Sequence, residues 1–262
     1  MRHPTDKCIL CKENEASQKG SHIIPKFFGK GLFYGTKPRY SIRIDKNGGK
    51  AKVQDIIKED YLFCPNCEKG FNIYETYCSL RLERFNNIRY FNDFKRYRHI
   101  VDFEFIECKK IDIRIFNLFI YSIVWRISIS DNYGFLGFKL SDSEEEKLRQ
   151  ILKKFSKPTQ VDLINEIDNL KDLPLHGHVL VRPKRKLHPP NSMLSAYSYN
   201  DYLHQIHLVD YVLIYSTLKH LMSKRFQIIN NNRLNGLVRI GLIEKNNWEN
   251  FNKTMFKESV RK

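Results

Sequence analysis

Two Cys-x-x-Cys pairs in the first quarter of the chain limit what its N-terminal region can fold into. Four cysteines at this spacing form the ligand set of a tetrahedral zinc site, and the second pair encloses the turn-forming dipeptide Pro65-Asn66. Four protein ligands leave no open coordination position, so such an ion stabilises the fold and takes no part in chemistry. We therefore predict one structural zinc ion, bound by Cys8, Cys11, Cys64 and Cys67.

Two other roles for these cysteines fit the sequence less well. A redox-active pair is expected beside a β-α-β pattern, and neither pair has one. A disulfide framework is typical of short secreted chains, whereas this sequence has 262 residues and begins without the apolar stretch of a secretion signal. We therefore expect a cytoplasmic, prokaryotic protein in which Cys78 and Cys108, flanked by apolar and aromatic residues, are buried and unreactive.

The charge of the chain favours a polyanionic partner. It has 45 Lys and Arg residues against 29 Asp and Glu residues, a net charge of +16, and such an excess neutralises phosphates and releases their counterions. A generally basic protein with solvated charges is the alternative. Beside a zinc module the excess favours nucleic acid, and the densest basic cluster predicts either a solvated loop or a DNA-backbone contact. That cluster contains Arg182, Lys184, Arg185 and Lys186.

A short apolar segment between the cysteine pairs carries the first candidate catalytic residue. Residues 21–26, SHIIPK, favour a strand that ends early, because proline cannot donate a hydrogen bond to a neighbouring strand. The neutral imidazole of His22 can take a proton from water near pH 7, and a structural histidine is the alternative. Farther along, residues 39–44 and 50–53 flank an Asn-Gly-Gly turn signal, a pattern that predicts a β-hairpin.

The residues that follow the second cysteine pair predict a helix over residues 68–82. Within it, Glu68, Asn72 and Glu75 are spaced i, i+4 and i+7 and therefore share one face. Their oxygen atoms are of the kind that Mg²⁺ and Mn²⁺ prefer in proteins. An ordinary amphipathic surface helix shows the same pattern, so the spacing leaves a divalent-ion site and a plain surface face as alternatives.

Taken together, these features resemble the zinc-containing HNH endonucleases, whose fold is the ββα-metal or His-Me finger. The resemblance rests on the first cysteine pair, the segment at residues 21–26, and the second pair followed by Glu68 and then Tyr74-Glu75. It covers residues 8–80, about a third of the chain. Two positions depart from the family pattern. Ser21 stands where many members have Asp or His, and Glu68 stands where His or Asn is usual.

The resemblance implies a metal-dependent nuclease mechanism. His22 would activate the attacking water, and one Mg²⁺ or Mn²⁺ ion on Glu68 would contact the scissile phosphate. The second helical ligand of that ion would be Asn72 or Glu75. The products would carry 5′-phosphate and 3′-hydroxyl ends. Three basic residues lie near His22 in the sequence, where they would either hold phosphates or remain solvated, and these are Lys19, Lys26 and Lys30.

Beyond residue 82 the sequence predicts helices and then a mixed region. Apolar residues at helical spacing predict a helix over residues 111–130, whose apolar part is too short and too polar to span a membrane. In it, Arg126 is either a structural cation or a phosphate contact. A capping box at Ser141 begins a helix that extends to residue 155, and a shorter helix follows to residue 170. Residues 178–182 and 203–215 predict strands, whereas the tail from residue 230 shows no clear pattern.

We therefore predict an α+β protein with three parts. These are a zinc-stabilised ββα-metal module over residues 1–82, a helical domain over 83–171 and a smaller α+β region over 172–262 that binds the target or a partner. The predicted function is hydrolysis of DNA by a metal-dependent endonuclease, as the effector of a prokaryotic defence or mobile-element system with a regulatory protein as a candidate partner. The alternatives are a zinc-scaffold nucleic-acid-binding module without catalysis and a docking subunit of a larger complex. No membrane association is expected, and the sequence indicates no oligomeric state.

Overall fold

The computed structural model describes residues 2–33, 40–44, 49–86, 88–99, 103–135, 137–167, 173, 176–184, 193–218, 224–244, 246–248 and 250. Over these residues the chain is α+β, as predicted, with a cluster of four cysteines near the N-terminus. The α-helices are α1 (Lys26–Gly29), α2 (Pro65–Leu82), α3 (Ile113–Ile129), α4 (Asp142–Phe155), α5 (Gln160–Ile167) and α6 (Lys224–Gln227). The strands are β1 (Ser21–His22), β2 (Ser41–Ile44), β3 (Lys50–Val53), β4 (Lys58–Glu59), β5 (Phe94–His99), β6 (Phe103–Asp112), β7 (Gly177–Pro183), β8 (Leu194–Ser198), β9 (Leu203–Leu208), β10 (Val212–Ser216) and β11 (Leu237–Ile243). Short 3-10 helices occupy Lys30–Phe33, Glu83–Asn86, Ile88–Asp93 and Tyr133–Phe135.

The N-terminal region contains two small antiparallel pairs of strands followed by a long helix. Strands β1 and β4 form a finger, and the hairpin β2–β3 is inserted between them. The hairpin confirms the prediction, although residues 45–48 of its turn lie outside the described residues. Helix α2 begins three residues earlier than predicted, at Pro65, because proline is favoured at the first position of a helix.

The rest of the described chain is built on one seven-stranded sheet with the strand order β5-β6-β11-β7-β10-β9-β8. Every neighbouring pair is antiparallel except β11 and β7, which run parallel. Strand β6, from the part predicted to be helical, pairs with β11 from the C-terminal part. The predicted boundary at residue 171 therefore runs between strands of a single sheet.

Sequence patterns do not predict four of these strands, β5, β6, β8 and β11. Strand β11 lies between two neighbours and is mostly buried, so its sequence LVRIGLI lacks the two-residue alternation of a half-exposed strand. Strand β5 is an edge strand whose sequence FKRYRH is mostly polar and locally similar to that of a solvated loop. Pairing with strands distant in sequence, and not the local pattern, makes these segments extended.

Helix α3 lies at the centre of the core. It begins after the N-cap residue Asp112, whose carboxylate accepts a hydrogen bond from the Arg114 N–H at 2.8 Å. The helix contacts α2, α4, β6 and β11. Because it has neighbours on several sides, polar residues such as Asn117, Ser122 and Arg126 are buried together with the apolar ones.

The N-terminal region packs directly onto α3. The rings of Phe63 and Phe71 have centroids 5.0 Å apart, and Trp125 of α3 lies 5.9 Å from Phe63. Helix α2 also approaches the end of α4 at Gly70, where a Cβ would lie 3.1 Å from the Cα of Ser156. The four-cysteine region, α3 and the sheet share one hydrophobic cluster, so residues 1–82 are not packed as a separate unit.

A row of buried polar side chains crosses the sheet. His178 on β7, Tyr215 on β10 and His204 on β9 are directly paired across the strands and fully buried. The ring of Tyr121 from α3 contacts those of His178 and Tyr215, with centroids 6.2 and 6.4 Å away. Burial lowers the pKa of His178 and of His204 to about 4, so both imidazoles are neutral at pH 7 and form an uncharged part of the core.

Candidate metal centre and active site

The four predicted cysteine ligands lie together. Their Sγ atoms are all within 4.8 Å of one another, and all four residues are buried. In a tetrahedral site with zinc–sulfur bonds of about 2.3 Å, the sulfur atoms are about 3.8 Å apart, so the cluster is close to that geometry and can bind a metal such as zinc. Among the described residues, no other group of three or more His, Cys, Asp or Glu side chains has its ligand atoms this close.

Backbone turns and a helix start position these sulfur atoms. The N–H of Lys12 donates to the Cys8 carbonyl at 2.8 Å, and Lys12 itself has a left-handed φ of 60°. Cys64 is the N-cap of α2, where the partial positive charge of the helix terminus favours a thiolate, whereas burial raises the pKa of the Cys64 thiol. The amide nitrogen of Asn14 lies 3.9 Å from the Sγ atoms of both Cys11 and Cys64, which places a hydrogen-bond donor beside the sulfur atoms.

Contacts among the four thiols lower the pKa of one of them, Cys8, and so favour its thiolate form. A hydrogen bond from the Cys67 thiol lowers the pKa of Cys8 to about 5, and the same contact raises the pKa of Cys67. A cation that replaces the shared proton would bind thiolates, which is the state that metal ligation requires. Cys78 and Cys108 are buried outside this cluster, as expected, and burial raises the pKa of both thiols.

His22 lies on β1 and is paired across the finger with Lys58 of β4. Its side chain is half-buried, and its Nε2 atom is buried with no hydrogen-bond partner among the described residues. Burial is the main cause that lowers the pKa of His22, and the charge of Lys58 acts in the same direction. Asp55, ion-paired with Lys58 at 2.6 Å, opposes the shift. The imidazole is therefore neutral at pH 7 and can accept a proton.

Glu68 lies in the first turn of α2, directly after the second cysteine pair. Its side chain is half-buried, and its Oε2 atom is buried without a hydrogen-bond partner in the described structure. Burial raises the pKa of Glu68, while Arg126 and the nearby Ser21 hydroxyl oppose the rise. The Ser21 Oγ atom is itself buried and completes no hydrogen bond of normal geometry there. Two buried oxygen atoms are thus close together, and either a hydrogen bond between the two side chains or a shared cation would satisfy them.

The guanidinium of Arg126 joins the strand β1 to the helix α2. Arg126 is 1% exposed, and its Nη1 atom donates to the His22 carbonyl at 2.7 Å and lies 2.7 Å from Glu75 Oε1. Its Nε atom donates to the Ser122 carbonyl at 3.1 Å, and the guanidinium lies 5.0 Å from the centre of the Phe71 ring. Of the two alternatives left by the sequence, the structure favours the structural cation, at the base of the candidate site.

This contact divides the predicted polar face of α2. Glu75 is ion-paired with Arg126, whereas Asn72 is exposed and lies one turn after Glu68. Consecutive side chains of a strand point to opposite faces, so the His22 ring and the hydroxyl of the preceding serine lie on opposite sides of β1. Glu68 lies near the Ser21 hydroxyl. Arg126 is a charged neighbour of both Glu68 and His22 and links the two sides of the strand.

Two residues of the predicted basic cluster have partners within the protein. Arg182 is 3% exposed, and its Nη1 atom donates to Tyr211 Oη at 3.1 Å. The prediction of a DNA-backbone contact is therefore wrong for Arg182, because it belongs to β7, a strand whose residues are all buried. Lys184 is neutralised by two carboxylates, those of Glu104 at 2.8 Å and of Glu244.

Of the other basic residues predicted to bind nucleic acid, the structure describes the side chains of Lys19 and Lys26 alone. Lys26 is exposed, and its charge acts on the His22 imidazole, which agrees with a position beside the candidate site. Lys30 begins a 3-10 helix, but its side chain lies outside the described part of the chain. Arg185 and Lys186 also lie outside it.

Asp55 and Lys58, the ion pair beside His22, have no signal in the sequence. No local motif marks either residue. Only the pairing of β1 with β4, which closes the long loop between them, brings Lys58 opposite His22. The contact is therefore visible only in the folded chain.

We expect Cys64→Ser to lower bound-metal content and thermal stability together, because metal bound in a structural site contributes folding free energy. Plasma mass spectrometry measures the metal, and circular dichroism measures the melting temperature. Cys108→Ser, at a buried thiol outside the cluster, is the control and should keep the metal. Unchanged metal stoichiometry and melting in Cys64→Ser would contradict a four-thiol site.

We expect Arg126→Leu to lower the free energy of unfolding by about 3–5 kcal/mol, because it leaves the largely buried carboxylate of Glu75 without its charged partner. Urea unfolding of the wild type, of Arg126→Leu, of Glu75→Leu and of the double variant measures the coupling between the two side chains. The double variant should recover part of the loss, since it removes both charges. Strictly additive losses would argue against a direct interaction.

Comparisons with known proteins add no support to the resemblance to HNH endonucleases, which rests on the sequence motifs alone. No family model matches the chain, and no curated protein or solved structure matches it significantly. Within the described residues, no helix combines the length and the apolar character needed to cross a membrane.

Proposed function

We propose that this chain is a metal-dependent endonuclease of the HNH type, which hydrolyses phosphodiester bonds in DNA. Two groups carry the proposal: the neutral imidazole of His22 on one side of β1, and on the other side the buried carboxylate of Glu68, directly after the four-cysteine cluster. Arg126 is a charged neighbour of both. Hydrolysis of a phosphodiester needs a base for the attacking water and positive charge for the phosphate. The net charge of +16 supports a polyanionic substrate.

His22 is the general base in this proposal. It is uncharged at pH 7, because burial lowers its pKa, and its Nε2 atom has no partner among the described residues. Arg126 holds the backbone of His22 through the carbonyl oxygen, which limits the positions open to the imidazole. The charges of Lys26 and Lys58 act on the ring and would attract the scissile phosphate to it.

A divalent ion, Mg²⁺ or Mn²⁺, is proposed beside Glu68. The donors fit, because the free Oε2 atom of Glu68 and the exposed Asn72 amide offer oxygen atoms, while the neighbouring Ser21 hydroxyl is a poor ligand. When bound, the ion would supply Lewis-acid stabilisation of the charge on the phosphate. Of the two alternatives for the second helical ligand, Asn72 is favoured, because Arg126 already holds Glu75.

Zinc is proposed as the ion of the four-cysteine cluster, with a structural role. Four thiolates complete a tetrahedron and suit zinc, and they leave no position for water or substrate. Glu68 follows Cys67 directly, so the metal-bound turn would hold the first turn of α2 and with it the carboxylate. The regulatory partner, the role in a defence or mobile-element system and the cytoplasmic location stay predictions.

A nucleic-acid-binding module without catalysis is the second candidate. The ion pair between Glu75 and Arg126 favours it, since this contact removes one acidic ligand from the helix face. Ser21 favours it as well, because it stands where the resembled family often has a metal-binding Asp or His. Such a module would bind the same partner and leave it intact.

We expect His22→Ala to lower the rate of metal-dependent plasmid nicking by about 10²–10⁴-fold, the usual contribution of a general base. The measurement is the conversion of supercoiled plasmid to open circles with Mg²⁺ or Mn²⁺, at equal zinc content in both proteins. His3→Ala, at an exposed histidine, is the matched control and should cleave like the wild type.

Two outcomes of the plasmid assay would count against the proposal. Equal nicking by His22→Ala and the wild type would end the catalytic assignment of the imidazole. A folded wild type that nicks DNA with no divalent ion of a panel would favour the second candidate.

A further inference from the structure

The described residues of the hairpin β2–β3 form a two-stranded ribbon that lies outside the hydrophobic core. None of its described residues belongs to either hydrophobic cluster, and Ile42 is 56% exposed. An isolated two-stranded ribbon is at best marginally stable in water. Its presence is therefore better explained by a contact with a partner than by support of the fold.

One face of the ribbon combines basic and apolar side chains. The register pairs Ile42 with Lys52, and directly opposed residues lie on the same face, as does Lys50, two residues before Lys52. Both lysines are exposed, and the Lys52 ammonium lies 4.8 Å from the centre of the Tyr40 ring. Long basic side chains beside apolar groups can contact phosphates and bases at the same time.

The charge of the ribbon is not balanced by acidic residues of the described structure. Strands β2 and β3 contain Arg43, Lys50 and Lys52 and no acidic residue, and the sequence between them adds one acidic and one basic residue, Asp45 and Lys46. Asp55, the first acidic residue after β3, is already paired with Lys58 at 2.6 Å. An exposed positive ribbon of this kind is complementary to a nucleic-acid backbone.

The base of the ribbon, where β3 ends, lies close in sequence to residues of the candidate active site. Strand β3 ends at Val53, two residues before Asp55. The Asp55 carboxylate binds Lys58 and acts on the imidazole of His22. A nucleic acid with a phosphate at His22 would therefore pass close to the base of the ribbon.

We propose that the β2–β3 ribbon enters the major groove of double-stranded DNA and holds the duplex at the active site. This inference rests on the proposed function, because it places the substrate of that site. The major groove of B-form DNA, about 12 Å wide, admits a two-stranded ribbon. The deep, narrow major groove of A-form RNA does not, so the ribbon selects duplex DNA over duplex RNA.

The test measures binding of the full chain to a short labelled DNA duplex by fluorescence anisotropy. Mg²⁺ and Mn²⁺ are left out so that the duplex stays intact. Lys50→Gln/Lys52→Gln should weaken binding. The double substitution should also make the negative slope of log affinity against log salt concentration shallower by about 1.8, because each lost phosphate contact reduces the steepness of that slope by about 0.9. Its melting temperature should match that of the wild type, since the ribbon lies outside both hydrophobic clusters.

The matched control is Lys147→Gln/Lys154→Gln, which removes two exposed lysines of α4 and should leave affinity and slope unchanged. Unchanged binding by the ribbon variant would overturn the inference. Equal losses in both double variants would also overturn it, since binding would then follow net charge alone. Equal affinity of the wild type for duplex RNA of the same sequence would exclude the major-groove contact.

These outcomes are separate from those of the nuclease proposal. A wild type that binds duplex DNA through the ribbon but nicks no plasmid contradicts only the nuclease. A wild type that nicks plasmid, together with a ribbon variant of unchanged affinity and slope, contradicts only the ribbon.

Discussion

The buried guanidinium of Arg126 is the interaction on which the geometry of the candidate site depends. Removing an arginine from water is costly, and hydrogen-bonded or charged partners are needed to offset that cost. Arg126 has such partners on different elements: the His22 carbonyl on β1, the Glu75 carboxylate on α2 and the Ser122 carbonyl in its own helix. The position of the finger relative to α2 is therefore held by a residue that belongs to neither. This makes α3 a part of the site, although the sequence places it in another domain.

The four-cysteine cluster supports the same helix at its start. It holds the first turn of α2, where Glu68 follows Cys67, and Arg126 holds Glu75 two turns later. Between these two supports, Glu68 keeps a buried oxygen atom without a hydrogen-bond partner in the described structure. A polar group in that state lowers stability unless a ligand pairs with it. A rigid frame around an unsatisfied carboxylate is the physical reason for proposing a divalent ion there.

Local patterns predict the parts of this structure that local interactions hold together. The cysteine spacing predicts the thiol cluster, the Asn-Gly-Gly turn predicts the hairpin β2–β3, and Ser141 predicts the start of α4, where its hydroxyl accepts the predicted capping bond. Long-range pairing accounts for what the sequence does not show. Strand β11 is extended because it lies between β6 and β7, and Arg182 is buried because its strand is central. The contact of Arg126 with His22 joins residues 104 positions apart, a separation that no local motif reveals.

An oxygen-ligand site for a divalent ion at Glu68 is the central claim, and Mn²⁺ binding tests it most directly. Isothermal titration calorimetry on protein with a metal-loaded cysteine cluster should detect one Mn²⁺ ion per chain. Glu68→Gln should abolish that binding while the ion of the cluster stays in place, and Asp142→Asn, at an exposed carboxylate, should bind like the wild type. Equal Mn²⁺ affinity in Glu68→Gln and the wild type, or a wild type that binds no Mn²⁺ at all, would contradict the site.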